Sequence, residues 1–396
     1  MNSLPFPVYD ADQHLYESAD AFTRYLPDRF KSDFYFVQKD GRDKVVIDGQ
    51  LSEFIPNPTF AVVARPGAAE AWFRGDNPAG MTRKEVQGRP IRPPECWRTG
   101  EGRIRQIEEQ GLHAAMIFPT LASVIEERIG ARGDVTAALF HSLNQWIVDE
   151  WGFARENRLF TVPFISLTDV DKAVEELEFV LGHGARTVNI RPAPVPDKRG
   201  SRSFGFEDYD PFWARVAEAG IFVSLHGSDS GYDRITGWWS GGHGEYRPFI
   251  ADTFRATVDM IGRAISDSIS ALICHGVFDR HPTLKVFSVE NGSSWVAPLF
   301  ERLTRAYGQM PQAFKKHPVD QFIEHIFVSP FYEDDVGDLK NHIPVERIVF
   351  GSDYPHVEGV QEPLNYLGDF KDYAPDEVEK IFSINIRQLL EGRAGH

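Results

Sequence analysis

Apolar and polar positions along this chain follow two rhythms that take turns. Short β-branched or aromatic runs, such as FPVYDAD, GIFVSLH and RIVFGSD, read as strands. Longer stretches, such as DVTAALFHSLNQWIVDEWGFARE and DVDKAVEELEFVLGHG, carry the spacing of amphipathic helices, each opening on an Asp suited to capping. Eight segments predict barrel strands: Phe6 to Asp12, His113 to Pro119, Thr161 to Leu167, Thr187 to Arg191, Ile221 to His226, Lys285 to Glu290, Ile326 to Pro330 and Arg347 to Ser352. This alternation predicts a parallel α/β barrel, with chemistry gathered at the C-terminal ends of the strands. A doubly wound open sheet is the competing fold, but no G-x-G-x-x-G follows the first strand, so a dinucleotide site has little support.

The rhythm fails between about residues 28 and 98, which reads as an insertion after the first strand within a single domain spanning 1–396. FYFVQKDGRDKVVIDG predicts a β-hairpin turning at Asp40-Gly41, and the Pro-, Gly-, Arg- and Trp-rich stretch after it predicts a long loop over the barrel mouth. A second irregular segment, DSGYDRITGWWSGGHGEYRP, follows His226. Its Trp238 and Trp239 suit a mobile aromatic wall of a pocket or an oligomer surface equally well.

Composition narrows the class of partner. The 396 residues are 42% hydrophobic, enough for a substantial core, and the formal net charge of −16 disfavours nucleic acid and anionic membrane surfaces. Cys96 and Cys274 stand alone without C-x-x-C spacing, which fits a reducing cytoplasm and offers no thiolate zinc site. No basic leader with an apolar stretch and no long uncharged apolar run occurs, so the expectation is a soluble cytoplasmic protein with a small-molecule substrate.

The candidate chemistry sits at strand ends far apart in sequence. Asp12 and His14 share one face of the first strand, His226 ends GIFVSLH, and Asp353 follows RIVFGS. Taken singly, each has a plain structural role open to it, the Asp residues as caps and the His as a core residue. Taken together at the catalytic ends of barrel strands, they offer two carboxylates and two imidazoles to one divalent ion, Zn, Mn or Fe.

These residues lie in motifs that resemble a known family. D-x-D-x-H-x-x-E (Asp10, Asp12, His14, Glu17), LHGSD, GVFDRHPTLKVFSVENG and FGSDYPH are similar to the amidohydrolase-related group of the amidohydrolase superfamily, which includes aminocarboxymuconate-semialdehyde and resorcylate-type decarboxylases. The resemblance runs from Val8 to NIRQLLEG. It implies a distorted (β/α)8 TIM barrel, one divalent metal held by Asp12, His14, His226 and Asp353, and, with common symmetry, a homo-oligomer. Asp353 matches an aspartate that binds metal and exchanges a proton. Asp12 stands where members carry His, Glu or Asp, and a second carboxylate tilts the metal from zinc toward manganese or iron. Many members end the sixth strand in a histidine; here Glu290 takes that position and suits a general base and acid. Glu17, Arg191, His243 and His356 are further candidates for supporting the site or touching substrate, whereas His275 falls in a connection away from the catalytic face.

Two enzymatic readings follow. In the leading one, hydroxide held on the metal attacks an ester, thioester, amide or activated C–C bond of a sizeable apolar or aromatic substrate, with Glu290 or Asp353 moving protons. The alternative is metal-dependent non-oxidative decarboxylation of an aromatic or unsaturated acid. Glu290 favours hydrolysis by placing an anion where a substrate carboxylate would bind, unless Arg191 compensates. A metal-free binding protein is a third class, disfavoured by the intact ligand set.

Overall fold

The computed structural model describes residues 4–240 and 253–391. Its strands are β1 (Tyr9–Leu15), β2 (Phe34–Lys39), β3 (Arg42–Ile47), β4 (Gln50–Ser52), β5 (Ala114–Pro119), β6 (Leu159–Thr161), β7 (Thr187–Asn189), β8 (Phe222–His226), β9 (Lys285–Val289) and β10 (Ile326–Val328). Two parallel sheets, β1-β5-β6 and β10-β9-β8-β7, form most of the barrel wall. Isolated parallel bridges join them: Phe164 to Asn189 on one side, then Val328 to Ile348 and Gln13 to Tyr354 on the other. The result is a distorted (β/α)8 barrel whose eighth stave is the irregular 348–354 segment.

That stave departs from the expected strand over Arg347 to Ser352, and its hydrogen bonds show why. Val349 N reaches Val328 O at 2.9 Å and Ala11 N reaches Phe350 O at 3.0 Å, but Ser352 N donates to the Asp10 carboxylate at 2.9 Å. A side chain replaces the backbone acceptor, so the ladder lapses there. β1 begins later than expected because Pro5 and Pro7 have no N–H to give, and it runs on to Leu15, which places both Asp12 and His14 on the strand. β6 lies earlier than the expected Thr161 to Leu167 and shares only Thr161 with it: Pro163 has no N–H to donate, and beyond it the chain pairs through the isolated Phe164 bridge and the Ile165 N to Asn189 O bond at 2.9 Å.

The helices follow their apolar faces. Gly133–Glu150 buries Val135, Leu139, Phe140, Leu143, Trp146 and Ile147. It starts one residue before Asp134, which lies in the first turn instead of capping it, whereas Asp169 caps Val170–Gly182 by accepting from Lys172 N at 3.2 Å. No helix among the described residues is long and apolar enough to cross a membrane.

Within the 28–98 segment, β2 and β3 pair antiparallel around Asp40 and Gly41, whose φ values of 53° and 72° make a left-handed two-residue turn. A second such pair, Asp48 (50°) and Gly49 (73°), adds β4, giving a three-stranded sheet where two strands were expected. Trp238 and Trp239 end the helix Asp233–Trp239 at 72% and 76% exposed, and they do not line the cavity described below, which corrects their reading as its wall.

Candidate active site and metal centre

β1, β8, the end of β9 and the eighth stave deliver their polar residues to one point. His14 Nε2 lies 3.5 Å from Asp12 Oδ1, 3.4 Å from Glu290 Oε2 and 3.4 Å from Asp353 Oδ1. His226 Nε2 lies 3.2 Å from His14 Nε2, 3.0 Å from Glu290 Oε2 and 3.5 Å from Asp12 Oδ1. Glu290 follows β9 with φ 51° and Asp353 ends the eighth stave with φ 55°, so two of the three carboxylates sit on left-handed backbone. Close packing permits the convergence: a Cβ on Gly227 would lie 2.4 Å from the Glu290 carbonyl oxygen, and one on Gly351 would lie 2.7 Å from Asp12 Cβ.

The histidine partners fix which lone pairs face inward. His226 Nδ1 is 2.8 Å from Gly227 O, so it carries the proton and leaves Nε2 as a donor atom. Thr120 gives its hydroxyl proton to Leu15 O at 2.8 Å, so its oxygen accepts from His14 Nδ1 at 3.4 Å, and His14 Nε2 likewise faces in unprotonated. Asp12 Oδ1 is buried with only the two histidine Nε2 atoms near it, each at 3.5 Å, and neither makes a well-formed hydrogen bond to it. Asp12, His14, His226 and Glu290 each offer a ligand atom within 4.8 Å of one another, and His14, Glu290, Asp353 and His356 form an overlapping group, so the cluster fits one divalent cation, with Glu290 as close to the histidines as the expected ligand Asp353.

With protons alone, the same contacts distort the titrations. Burial opposes charge on His226, yet Glu290 and Asp12 hold its pKa well above the usual value. Burial likewise opposes ionised Glu290 and Asp12, but the two histidines hold both below the ordinary carboxylate range. Asp353 is pushed well up, by burial first and then by the charge of Glu290.

A buried network anchors β1 from behind. The Asp10 carboxylate accepts from Ser352 Oγ at 2.6 Å, Gln13 Nε2 at 2.9 Å and Asp12 N at 3.2 Å, and burial pushes its pKa up to about 7. Arg103, fully buried on the helix Gly100–Glu109, donates to His14 O at 2.7 Å, Gln13 Oε1 at 3.0 Å and Cys96 O at 2.9 Å. Sequence reasoning missed this arginine, although it belongs to the buried side of its helix with Ile107.

The remaining candidates separate. Glu17 accepts from Leu121 N at 2.7 Å and Ala122 N at 3.2 Å, fastening the loop after β5. His356 reaches the site: its Nδ1 is 2.7 Å from Asp353 Oδ1, and its ring faces that of His14 with centroids 3.9 Å apart. Arg191 is engaged elsewhere, bound to Glu127 and to Pro194 O at 2.9 Å and absent from the cavity lining, which corrects its reading as a substrate clamp. His275 pairs with Ser203 Oγ at 2.8 Å, outside the cavity lining. His243 lies outside the described residues. Above the polar group opens a cavity of about 480 Å³, with Phe54, Ile55, Phe60, Val63 and Phe73 of the 28–98 segment among its walls.

The amidohydrolase family profile matches residues 10–392. The chain belongs to the amidohydrolase family. An amidohydrolase of Mycobacterium avium subsp. paratuberculosis K-10 is 38% identical, with 98% of each chain covered and a TM-score of 0.92. A 2,6-dihydroxybenzoate decarboxylase from Rhizobium shares 19% identity over 81% of this chain and 95% of its own, at a TM-score of 0.58. A 5-carboxyvanillate decarboxylase of Novosphingobium aromaticivorans DSM 12444, solved with manganese, shares 15% over 98% and 96%, at 0.61. Likeness to these two decarboxylases carries the amidohydrolase barrel fold. Comparison with curated proteins gives no match.

Proposed function

We propose that this amidohydrolase hydrolyses an ester, thioester, amide or activated C–C bond in an uncharged, sizeable apolar substrate. The observation that carries this reading is the charge of the cavity. Asp12, Asp229, Asp233, Glu290, Glu333, Asp353 and Glu358 line it, and Arg83 is the single Lys or Arg among the described lining residues. A divalent ion offsets two charges, burial pushes Asp233 and Glu333 up to about 7, and Arg128 pairs with Asp229, so an incoming carboxylate meets a wall that is partly neutralised but keeps an anionic excess, and any ionised pair at 4 Å costs about 1–4 kcal/mol between water-like and surface dielectrics. With Arg191 bound to Glu127, the cation that would have favoured an acid substrate is occupied.

In this reading Asp12, His14, His226 and Asp353 hold the ion, which when bound supplies positive charge to polarise a substrate oxygen and acidify water. Glu290 moves the proton. Its side chain is 19% exposed, against 11% for Asp353 and 4% for Asp12, so it is the carboxylate of the three with most access to the cavity. Glu290 takes a proton from water as the water oxygen bonds to the carbonyl carbon, then returns it to the leaving group as that bond breaks. His356 and Thr120 hold Asp353 and His14 in place.

The test is incubation of metal-replete protein with aryl carboxylates, esters and thioesters in oxygen-18 water, followed by mass spectrometry. Label in a product carboxyl without CO2 supports hydrolysis; CO2 release with loss of the substrate carboxyl replaces it with decarboxylation.

A further inference from the structure

Tyr16 follows β1 directly, two residues after His14, and its ring is clamped. It stacks on Phe60 with centroids 4.6 Å apart and planes 24° apart, meets the edge of Trp97 at 6.0 Å, and faces His356 at 6.1 Å. His356 in turn lies on His14 at 3.9 Å, so an aromatic ladder runs from the inserted segment to the polar group. Tyr16 is 4% exposed and lines the cavity, yet its hydroxyl makes no hydrogen bond to another described residue. That hydroxyl is not among the fully enclosed unpartnered atoms, so it opens onto the cavity with its proton free for a ligand there, whereas a tyrosine used only for packing could be Phe.

We infer that Tyr16 donates its phenolic O–H to the carbonyl oxygen of the bound substrate and holds the negative charge that builds there; this rests on the hydrolytic reading of the same site. As water adds to the carbonyl carbon, the C=O electron pair moves onto oxygen and the Tyr16 hydrogen bond strengthens. When the bond to the leaving group breaks, the pair returns, and no proton leaves the phenol. The clamp fixes the donor before substrate arrives, the condition under which such a group acts most strongly.

The experiment compares native protein with Tyr16→Phe, both metal-replete, using p-nitrophenyl butyrate as ester and 1,1,1-trifluoro-2-octanone, whose hydrate is a neutral tetrahedral mimic, as a ligand followed by fluorine NMR. The expected result is a fall in kcat of roughly 10²–10³-fold with KM nearly unchanged. Affinity for the ketone should drop about tenfold or more, the value of one hydrogen bond of about 1.4 kcal/mol, with metal content equal. Equal kcat and equal ketone affinity in the two proteins overturn the inference, as does absence of ketone binding to native protein. If Tyr16→Leu fails where Tyr16→Phe is native-like, the ring and not the hydroxyl is what matters, and the inference also falls. Ketone binding that needs the hydroxyl, in a protein that cleaves no ester, would sustain Tyr16 as a donor while removing the hydrolytic reading.

Discussion

The floor and the wall of the cavity are built on opposite principles. On the floor, Asp12, His14, His226 and Asp353 are polar and nearly inaccessible, yet each hangs from a barrel stave whose backbone is set by neighbours on both sides. In the wall, Phe54, Ile55, Val62, Val63 and Phe73 are apolar, Val62 is 37% exposed, and the long loop is tied back on itself by the isolated Val63–Ile91 bridge. Polar atoms need the rigid scaffold because their value depends on angles and fractions of an ångström, whereas an apolar surface needs only shape. In the proposed function, chemistry and selectivity therefore fall to different parts of the chain.

If that division holds, floor substitutions abolish turnover and wall substitutions redirect it. The largest effect expected is from His226→Ala, which removes an inward donor atom: turnover should fall to background together with metal content by atomic absorption. Full metal occupancy in that variant would remove His226 from the ligand set. Glu290→Gln should keep the metal and lose about 10²–10⁴-fold in kcat, as expected for removal of a proton carrier; native turnover with a true substrate would dismiss Glu290 from that role.

Arg103→Met tests whether the buried network belongs functionally to the floor. Loss of its bonds to His14 O and Gln13 Oε1 should weaken metal affinity by roughly 10–100-fold and lower unfolding stability by about 1–3 kcal/mol for each acceptor left unpaired. A stability loss with unaltered metal affinity would make the arginine a packing residue only. The smallest change, Phe73→Ala in the wall, should leave metal and kcat alone and reduce the preference for a long-chain over a short-chain ester by about 10–100-fold. A uniform fall for both esters would blur the division between floor and wall.

The barrel was legible in the chain because most of its staves announce themselves as short buried runs, and the convergence of Asp12, His14, His226, Glu290 and Asp353 was legible because each lies within or just after such a run. The eighth stave was placed correctly in sequence but not in conformation, since nothing local shows that Asp10, more than 300 residues away, will take the Ser352 amide from its ladder. Arg191 misled for a related reason: a cation at a strand end suggests a ligand, and only the fold reveals Glu127 beside it. The second hairpin turn was written in the chain as Asp48-Gly49, the same signal as Asp40-Gly41. Tyr16 carried no such signal. A tyrosine beside a strand reads as core until its neighbours are known, and what sets it apart is the missing hydrogen bond.

The left-handed backbone at Glu290 and Asp353 carries a conformational cost into the polar group. A side chain in that region costs on the order of 1–3 kcal/mol, and glycine avoids the cost. A selection that ranks variants by melting temperature alone would thus weigh relief of that backbone by glycine at position 290 against loss of the Glu290 contacts with His14 and His226, and would be blind to the proton transfer proposed for it.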